Sequence, residues 1–171
     1  MQFELRWIKG LKCGRLAIGP RPLGGHYLPE QIGKLRHAGV QIVVSLMEPQ
    51  EAARFELQNE AAVCALNKID FISFPVRDHA VPESIKAIYT LSIELNRLLD
   101  SDRSIFIHCF AGLGRSALLA ACALVQRGGR PLAACDCLSE ARGFVVPETP
   151  EQLKWICTFD EYCRNGPHHS V

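Results

Sequence analysis

Short apolar runs alternate along this chain with longer segments whose apolar residues recur at helical spacing. The apolar runs are rich in β-branched and aromatic residues and are bounded by turn-forming residues, a pattern that predicts buried strands. Four such runs stand out, at 14–20 (GRLAIGP), 41–47 (QIVVSLM), 71–74 (FISF) and 104–107 (SIFI).

The segments between these runs predict helices. In 82–99 the residues that fall on one helical face are mostly apolar, namely Ile85, Ile88, Ser92, Leu95 and Leu99. Segment 29–38 starts with a proline and is followed by Gly39, a typical helix stop. The other predicted helices are 49–68, broken once near Leu57, then 115–127, 132–141 and 150–163.

Alternating strands and helices predict an α/β fold. Such an order is typical of a mostly parallel central sheet with helices on both faces, which gives three layers. The chain has 171 residues, enough to bury one sizeable core and too few for two typical domains. We therefore expect a single domain over 1–171, with its core at about 14–164.

The strongest chemical pattern is HCFAGLGRS at 108–116, between a predicted strand and a predicted helix. Cys109 and Arg115 are separated by five residues, of which Gly112 and Gly114 allow a tight turn. Backbone N–H groups in such a loop point inward, and the following helix adds the positive end of its dipole. The sequence thus predicts an anion-binding loop with a cysteine at its rim.

Each residue of this loop has a predicted role. The surrounding donors favour the reactive thiolate of Cys109, and the planar fork of Arg115 suits two phosphate oxygens. Ser116 can donate a hydrogen bond to the sulfur, and His108 is expected to orient the loop by hydrogen-bonding to its backbone. A bare Cys-x5-Arg pattern arises by chance in many chains, but here the whole loop fits. The predicted phosphate-binding loop comprises His108, Phe110, Ala111, Gly112, Leu113 and Gly114.

HCFAGLGRS resembles the motif His-Cys-x-x-Gly-x-x-Arg-Ser/Thr of the cysteine-dependent protein tyrosine phosphatase superfamily, and in particular its small dual-specificity members. The resemblance implies the corresponding fold and a two-step reaction in which the thiolate takes the phosphoryl group and water removes it. It also implies that no metal or other cofactor is needed. Such chemistry requires a general acid for the leaving oxygen.

Asp78 is the candidate general acid. It follows the FISF run in FPVRDHAVP, where the Asp-x-x-x-Pro spacing resembles the acid loop of compact family members. An isolated loop aspartate would more often hydrogen-bond to its own turn. Combined with the cysteine loop, the pattern favours a residue that protonates the leaving group and then acts as a base toward water.

Gln152 and Arg142 are candidates for a supporting role. Small relatives carry a similar glutamine near the hydrolytic water, but Thr149-Pro150-Glu151-Gln152 is also a complete helix-capping box. The residues favour capping over catalysis for Gln152. Arg142 either assists phosphate binding or is a cation at a helix end.

Composition limits the partners and the compartment. Nineteen basic and eighteen acidic residues leave a net charge of +1, which gives no electrostatic case for nucleic acid or for a polybasic membrane contact. No segment reads as a membrane span or a signal peptide. The eight cysteines form neither a disulfide framework nor a zinc pattern. We expect a cytoplasmic protein, monomeric and without a metal.

The substrate is less constrained. Inositol-lipid phosphatases of this superfamily carry lysines in the corresponding loop, and this loop has none. No segment of the chain resembles the recognition loop that deepens the pocket of the larger tyrosine-specific enzymes. A shallow pocket for phosphotyrosine and also for phosphoserine or phosphothreonine in proteins is therefore expected. A non-protein phosphoester is the alternative. A rhodanese-like sulfurtransferase is more distant, because Asp78 and Ser116 have no purpose in that chemistry. A silent module that only binds phosphate is also more distant, because Cys109, Arg115 and Asp78 are all present.

Overall fold

The structure is a computed structural model that describes residues 5–166. In this part of the chain, four strands and seven α-helices are present. The strands are β1 (Arg15–Pro20), β2 (Ile42–Ser45), β3 (Asp70–Ser73) and β4 (Ser104–Cys109). The helices are α1 (Leu28–His37), α2 (Pro49–Arg54), α3 (Glu60–Leu66), α4 (Ile85–Asp100), α5 (Arg115–Gln126), α6 (Pro131–Arg142) and α7 (Pro150–Asn165).

The sheet has the order β1-β4-β2-β3, and every neighbouring pair is parallel. This arrangement confirms the predicted α/β class. Strand β4 lies between β1 and β2, and all six of its residues are buried. Its last residue, Cys109, is aligned with Pro20 at the end of β1, so the candidate nucleophile lies at the carboxyl edge of the sheet. Open α/β sheets bind ligands at this edge.

The two faces of the sheet have separate cores. Alternate residues of a strand point to opposite faces. Ile105, Ile107 and Cys109 belong to the core that β4 shares with α4, α5, α6 and α7. Phe106 belongs to the core formed with α1 and α3. Helix α5 is buried nearly all round, because it packs between the sheet and the outer helices.

Some element boundaries differ from the sequence-based expectations. The predicted helix at 49–68 is two helices, α2 and α3, and the break near Leu57 is confirmed. The predicted helix at 82–99 starts three residues later, at Ile85. The start is set by Ser84, whose hydroxyl accepts a hydrogen bond from the N–H of Ala87 at 3.2 Å. Capping by serine satisfies one of the N–H groups that a helix start leaves free.

A buried carboxylate and a buried imidazole join α3 to the central strand. Glu60 Oε1 lies 2.9 Å from His108 Nε2, and their side chains are 3% and 0% exposed. The pair is too poorly aligned for a hydrogen bond. The His108 ring also stacks on Phe106, with the ring centroids 5.9 Å apart. The contact lies between α3 and β4, and removing either side chain leaves the other buried without its ionic neighbour.

We predict that Glu60→Ala lowers the free energy of unfolding by about 3 kcal/mol, because the substitution leaves the buried imidazole without its partner. Urea denaturation measures the change. Glu94→Ala is the matched control, since Glu94 is exposed on α4 and its removal should change stability by less than about 0.5 kcal/mol. Equal stability of the two variants would show that the pair contributes nothing.

Candidate active site

The sulfur of Cys109 lies inside the loop that connects β4 to α5. The N–H of Gly112 donates to Cys109 Sγ at 3.3 Å, and Ser116 Oγ lies 3.5 Å from the same sulfur. When the sulfur is a thiolate, the Ser116 hydroxyl is the donor in this contact. Helix α5 begins at Arg115, so the positive end of its dipole faces the loop. The structure therefore brings Cys109 and Ser116 together as the sequence predicts.

Gly112 makes this loop conformation possible. Its φ is +73°, and a Cβ added there would lie 2.1 Å from the carbonyl carbon of Gly19. Any other residue would collide with the end of β1. Gly114 is also constrained, since a Cβ there would lie 2.8 Å from the side-chain nitrogen of Gln152. The two glycines let the loop backbone approach the sulfur closely.

The guanidinium of Arg115 is buried among oxygen atoms. Its Nη1 and Nη2 bind the two carboxylate oxygens of Glu51 at 2.7 and 3.0 Å. Nη1 also donates to the carbonyl of Val76 at 2.9 Å, and Nη2 lies 2.8 Å from Asp78 Oδ1. Since Arg115 is 1% exposed, these contacts define its orientation. They also place Asp78 beside Cys109 and Arg115, as expected for one site.

Arg115 and Glu51 form an ionised pair. Burial alone would lower the pKa of Arg115, but the Glu51 hydrogen bond and the nearby Cys109 and Asp78 raise it above its usual value. Burial would raise the pKa of Glu51, but hydrogen bonds from Arg115 and from the Glu48 N–H lower it. Both shifts favour the charged forms at neutral pH.

Glu51 is a site residue that the sequence analysis missed, as is Glu148 of the pocket lining. Glu51 lies in α2, where its side chain accepts a hydrogen bond from the N–H of Glu48 in a capping box. This local hydrogen bond does not indicate the contact with Arg115, which is 64 residues away in sequence. One signal was available, because α2 follows β2 directly and the carboxyl end of β2 lies next to that of β4.

Asp78 and His79 form one rim of the pocket. The Asp78 side chain is 44% exposed, and its Oδ2 lies 3.6 Å from His79 Nε2. On its other side, His79 Nδ1 lies 3.6 Å from Glu148 Oε2. The pocket encloses about 170 Å³ and is lined by Asp78, His79, Cys109, Phe110, Ala111, Gly114, Arg115, Glu148 and Gln152. This volume suits a phosphate group with part of its leaving group.

Gln152 combines the capping position with a position in the pocket. The capping box with Thr149 is present, with Gln152 N–H donating to Thr149 Oγ1 at 3.2 Å. The Gln152 side chain is fully buried and donates from Nε2 to the carbonyl of Ala80 at 3.3 Å. It thus connects the start of α7 with the loop that carries Asp78.

Arg142 ends α6 and lies behind the cysteine loop. Its Nε donates to the carbonyl of Gly112 at 3.0 Å, and its Nη2 donates to the carbonyl of Ala111 at 3.3 Å. By binding these carbonyls on the side away from the pocket, the guanidinium stabilises the loop conformation in which the loop N–H groups point toward the pocket. The contacts of Arg142 therefore support the loop rather than the pocket surface.

The expectation that His108 hydrogen-bonds to the loop backbone is wrong. His108 and Cys109 are consecutive strand residues, so their side chains point to opposite faces of the sheet. The imidazole accordingly lies on the α3 side against Glu60. Of the other loop residues, Leu113 is half-buried, whereas the Phe110 side chain is 42% exposed at the pocket.

Two further features concern residues 5–166. No cluster of three or more His, Cys, Asp or Glu side chains is arranged there to hold a metal ion. None of the helices formed by these residues combines the length and apolar character needed to cross a membrane.

Comparison with known sequences identifies one matching family model and several similar proteins. The family model described as "Polymorphic toxin system, DSP-PTPase phosphatase" matches residues 21–129. Cyclin-dependent kinase inhibitor 3 of Rattus norvegicus is 29% identical over 128 residues, which are 74% of this chain and 60% of that protein. Protein tyrosine phosphatase PRL-1 of Leishmania major is 31% identical over 140 residues, covering 77% of this chain and 74% of that protein. The chain thus spans about 60% of the length of the first of these relatives.

Solved structures share the fold. Kinase associated phosphatase with its catalytic cysteine replaced by serine superposes with a TM-score of 0.86 and 22% identity, over 97% of this chain and 98% of that one. PTPMT1 superposes with a TM-score of 0.76 and 18% identity, over 95% and 97% of the two chains. These structures show the fold. The family match over 21–129 and the 31% identity to PRL-1 show that the chain belongs to the dual-specificity protein tyrosine phosphatase family.

Proposed function

We propose that this protein is a phosphomonoesterase that removes phosphate from phosphotyrosine, and from phosphoserine or phosphothreonine, of proteins through a phosphocysteine intermediate. The observation that carries the proposal is the placement of the Cys109 sulfur, the Arg115 guanidinium and the Asp78 carboxylate around one pocket. These groups supply a nucleophile, a cation for the transferring phosphoryl group and a proton donor.

In the first step the Cys109 thiolate attacks phosphorus and the bond to the leaving oxygen breaks. The N–H groups of the loop over 110–115 and the guanidinium of Arg115 stabilise the equatorial oxygens. Asp78, in its protonated form, gives its proton to the departing alkoxide or phenoxide. The products of this step are the dephosphorylated residue, a phosphocysteine and the Asp78 carboxylate.

The contacts of Arg115 determine how it binds phosphate. A guanidinium has two edges that bind two oxygens at once, Nη1 with Nη2 and Nε with Nη2. Glu51 occupies the first edge, so a phosphate is bound through the second. Asp78 now lies on Nη2 at 2.8 Å. Binding of substrate therefore displaces Asp78 from Arg115 and frees its carboxyl group to approach the leaving oxygen.

In the second step water attacks the phosphocysteine and the sulfur leaves as a thiolate. Asp78, now ionised, takes a proton from the water. The Ser116 hydroxyl donates to the departing sulfur from 3.5 Å, which stabilises the thiolate. Gln152 lines the same pocket and is held by Ala80 of the acid loop, a position that supports a role in orienting the water.

Two observations support proteins as the substrates. Cyclin-dependent kinase inhibitor 3 and PRL-1 are similar in sequence, and the latter is named a protein tyrosine phosphatase. A relative from Arabidopsis thaliana is instead named a phosphatidylglycerophosphate phosphatase, with 29% identity over 104 residues. The absence of lysine from the loop between Cys109 and Arg115 favours the less highly charged protein substrate.

The eight free thiols fit a reducing compartment such as the cytoplasm.

We predict that Cys109→Ser abolishes hydrolysis of an aryl phosphate, because a serine hydroxyl is not ionised in this loop. The variant should still bind tungstate, since the loop N–H groups and Arg115 remain. The assay contains chelator and reductant throughout, and calorimetry measures tungstate binding. Cys157→Ser, at an exposed cysteine, is the matched control and should keep full activity.

Turnover that survives in Cys109→Ser, or wild-type activity that depends on added metal, would contradict this mechanism. Transfer of sulfur from thiosulfate by the wild type, without phosphate hydrolysis, would favour the sulfurtransferase. Binding of phosphopeptides by the wild type without turnover would identify a silent binding module.

Asp78→Asn is predicted to reduce kcat by about 10²- to 10³-fold for an alkyl phosphate, because an amide cannot protonate the leaving oxygen. The loss should be much smaller for an aryl phosphate with a good leaving group, which departs without a proton. The measurement is kcat on both substrates for the variant and for the wild type. An equal loss on both would show that Asp78 is not the general acid.

A further inference from the structure

Two aromatic rings and two guanidinium groups form a surface beside the pocket. The rings of Phe55 and Phe110 have centroids 5.1 Å apart. The guanidinium of Arg21 lies 4.0 Å from the Phe55 centroid and 5.6 Å from the Phe110 centroid. Arg54 lies 5.5 Å from the Phe55 centroid on the exposed part of this surface. We name the surface formed by these four residues the aromatic wall.

The aromatic wall is continuous with the candidate active site. Phe110 follows the nucleophile directly and lines the pocket. The N–H of Arg21 donates to the carbonyl of Phe110 at 3.2 Å, so the segment after β1 is joined to the cysteine loop. A group placed on this wall therefore lies next to a substrate whose phosphate is in the loop.

The guanidinium of Arg21 lacks an anionic partner within residues 5–166. Four other arginines have one, since Arg103, Arg115, Arg127 and Arg164 each lie within 2.8 Å of an aspartate oxygen. Arg21 is half-buried, its Nε is buried without a hydrogen bond, and its Nη1 donates only to the carbonyl of Pro22 at 3.0 Å. A half-buried cation in this state is stabilised when an anion is brought to it.

No carboxylate of the described residues lies within ion-pair distance of the Arg21 guanidinium. Glu51 is the acidic residue of the preceding helix, and both of its oxygens bind Arg115. Arg54, at the end of the same helix, also has no carboxylate partner among the described residues. The wall thus presents two guanidinium groups that form no ion pair with a carboxylate of residues 5–166.

We propose that the aromatic wall binds the carboxylate of an acidic residue adjacent to the phosphorylated residue of a peptide substrate. This inference rests on the proposed function and adds a sequence preference to it. The carboxylate would lie against Arg21 and Arg54, while the methylene groups of the acidic side chain pack on Phe55 and Phe110. The wall offers two partly covered rings, an apolar area that suits an amino-acid side chain and is small for an acyl chain.

The test measures binding to the Cys109→Ser protein, which binds substrates without consuming them. The probes are two phosphotyrosine peptides that differ only in carrying Glu or Gln on both sides of the phosphotyrosine, and fluorescence anisotropy gives the dissociation constants. We expect the Glu peptide to bind about fivefold more tightly, the effect of one partly desolvated charge pair. The preference should fall as salt is raised from 0.05 to about 0.5 M.

Arg21→Gln in the same background should bring the two dissociation constants to within about twofold of each other. Arg54→Gln, at an exposed position, should reduce the preference part of the way. Arg97→Gln is the matched control, because Arg97 is exposed on α4 and lies outside the pocket lining, and it should keep the preference in full. Thermal unfolding of each variant verifies that it is folded.

Equal binding of the two peptides to Cys109→Ser, or a preference that survives both Arg21→Gln and Arg54→Gln, would overturn the inference. A loss of binding to vesicles of phosphatidylcholine and phosphatidylinositol phosphate on Arg21→Gln, without any peptide preference, would assign the wall to a lipid headgroup instead. Failure of the proposed function is seen separately, as absence of phosphate release from either peptide by the wild type.

Discussion

The bidentate contact between Arg115 and Glu51 is the interaction on which the candidate site depends. It holds a buried cation in a fixed orientation and connects α5 with α2. Because Glu51 occupies one edge of the guanidinium, the other edge is left for an oxyanion. Asp78 reaches that edge in this structure, so the residue proposed as general acid and the phosphate compete for the same Nη2. The proposed mechanism thereby couples substrate binding to the positioning of Asp78.

The central strand determines where the nucleophile lies. Strand β4 places Cys109 on the α5 side of the sheet and His108 on the α3 side. The Glu60 and His108 pair holds the strand on one face, while Arg142 holds the carbonyls of the loop on the other. The N–H of Gly112 is directed at the Cys109 sulfur, and the Arg142 contacts with the loop carbonyls support that conformation.

Local patterns predicted the parts of the structure that depend on local chemistry. Apolar runs gave the parallel strands, and Thr149 and Gln152 gave the capping box of α7. Glu51 was missed because its contact with Arg115 spans 64 residues of sequence. The orientation of His108 was mispredicted, although strand alternation from Cys109 places it on the opposite face. Glu60 could not be identified, because nothing near it in sequence requires a buried partner.

A crystal structure of Cys109→Ser with bound tungstate would test the central claim most directly. We predict that the oxyanion lies on the Nε and Nη2 edge of Arg115, that Glu51 keeps both contacts with Nη1 and Nη2, and that Asp78 has moved away from Nη2. An oxyanion that displaces Glu51, or that binds while Asp78 stays on Nη2, would contradict it.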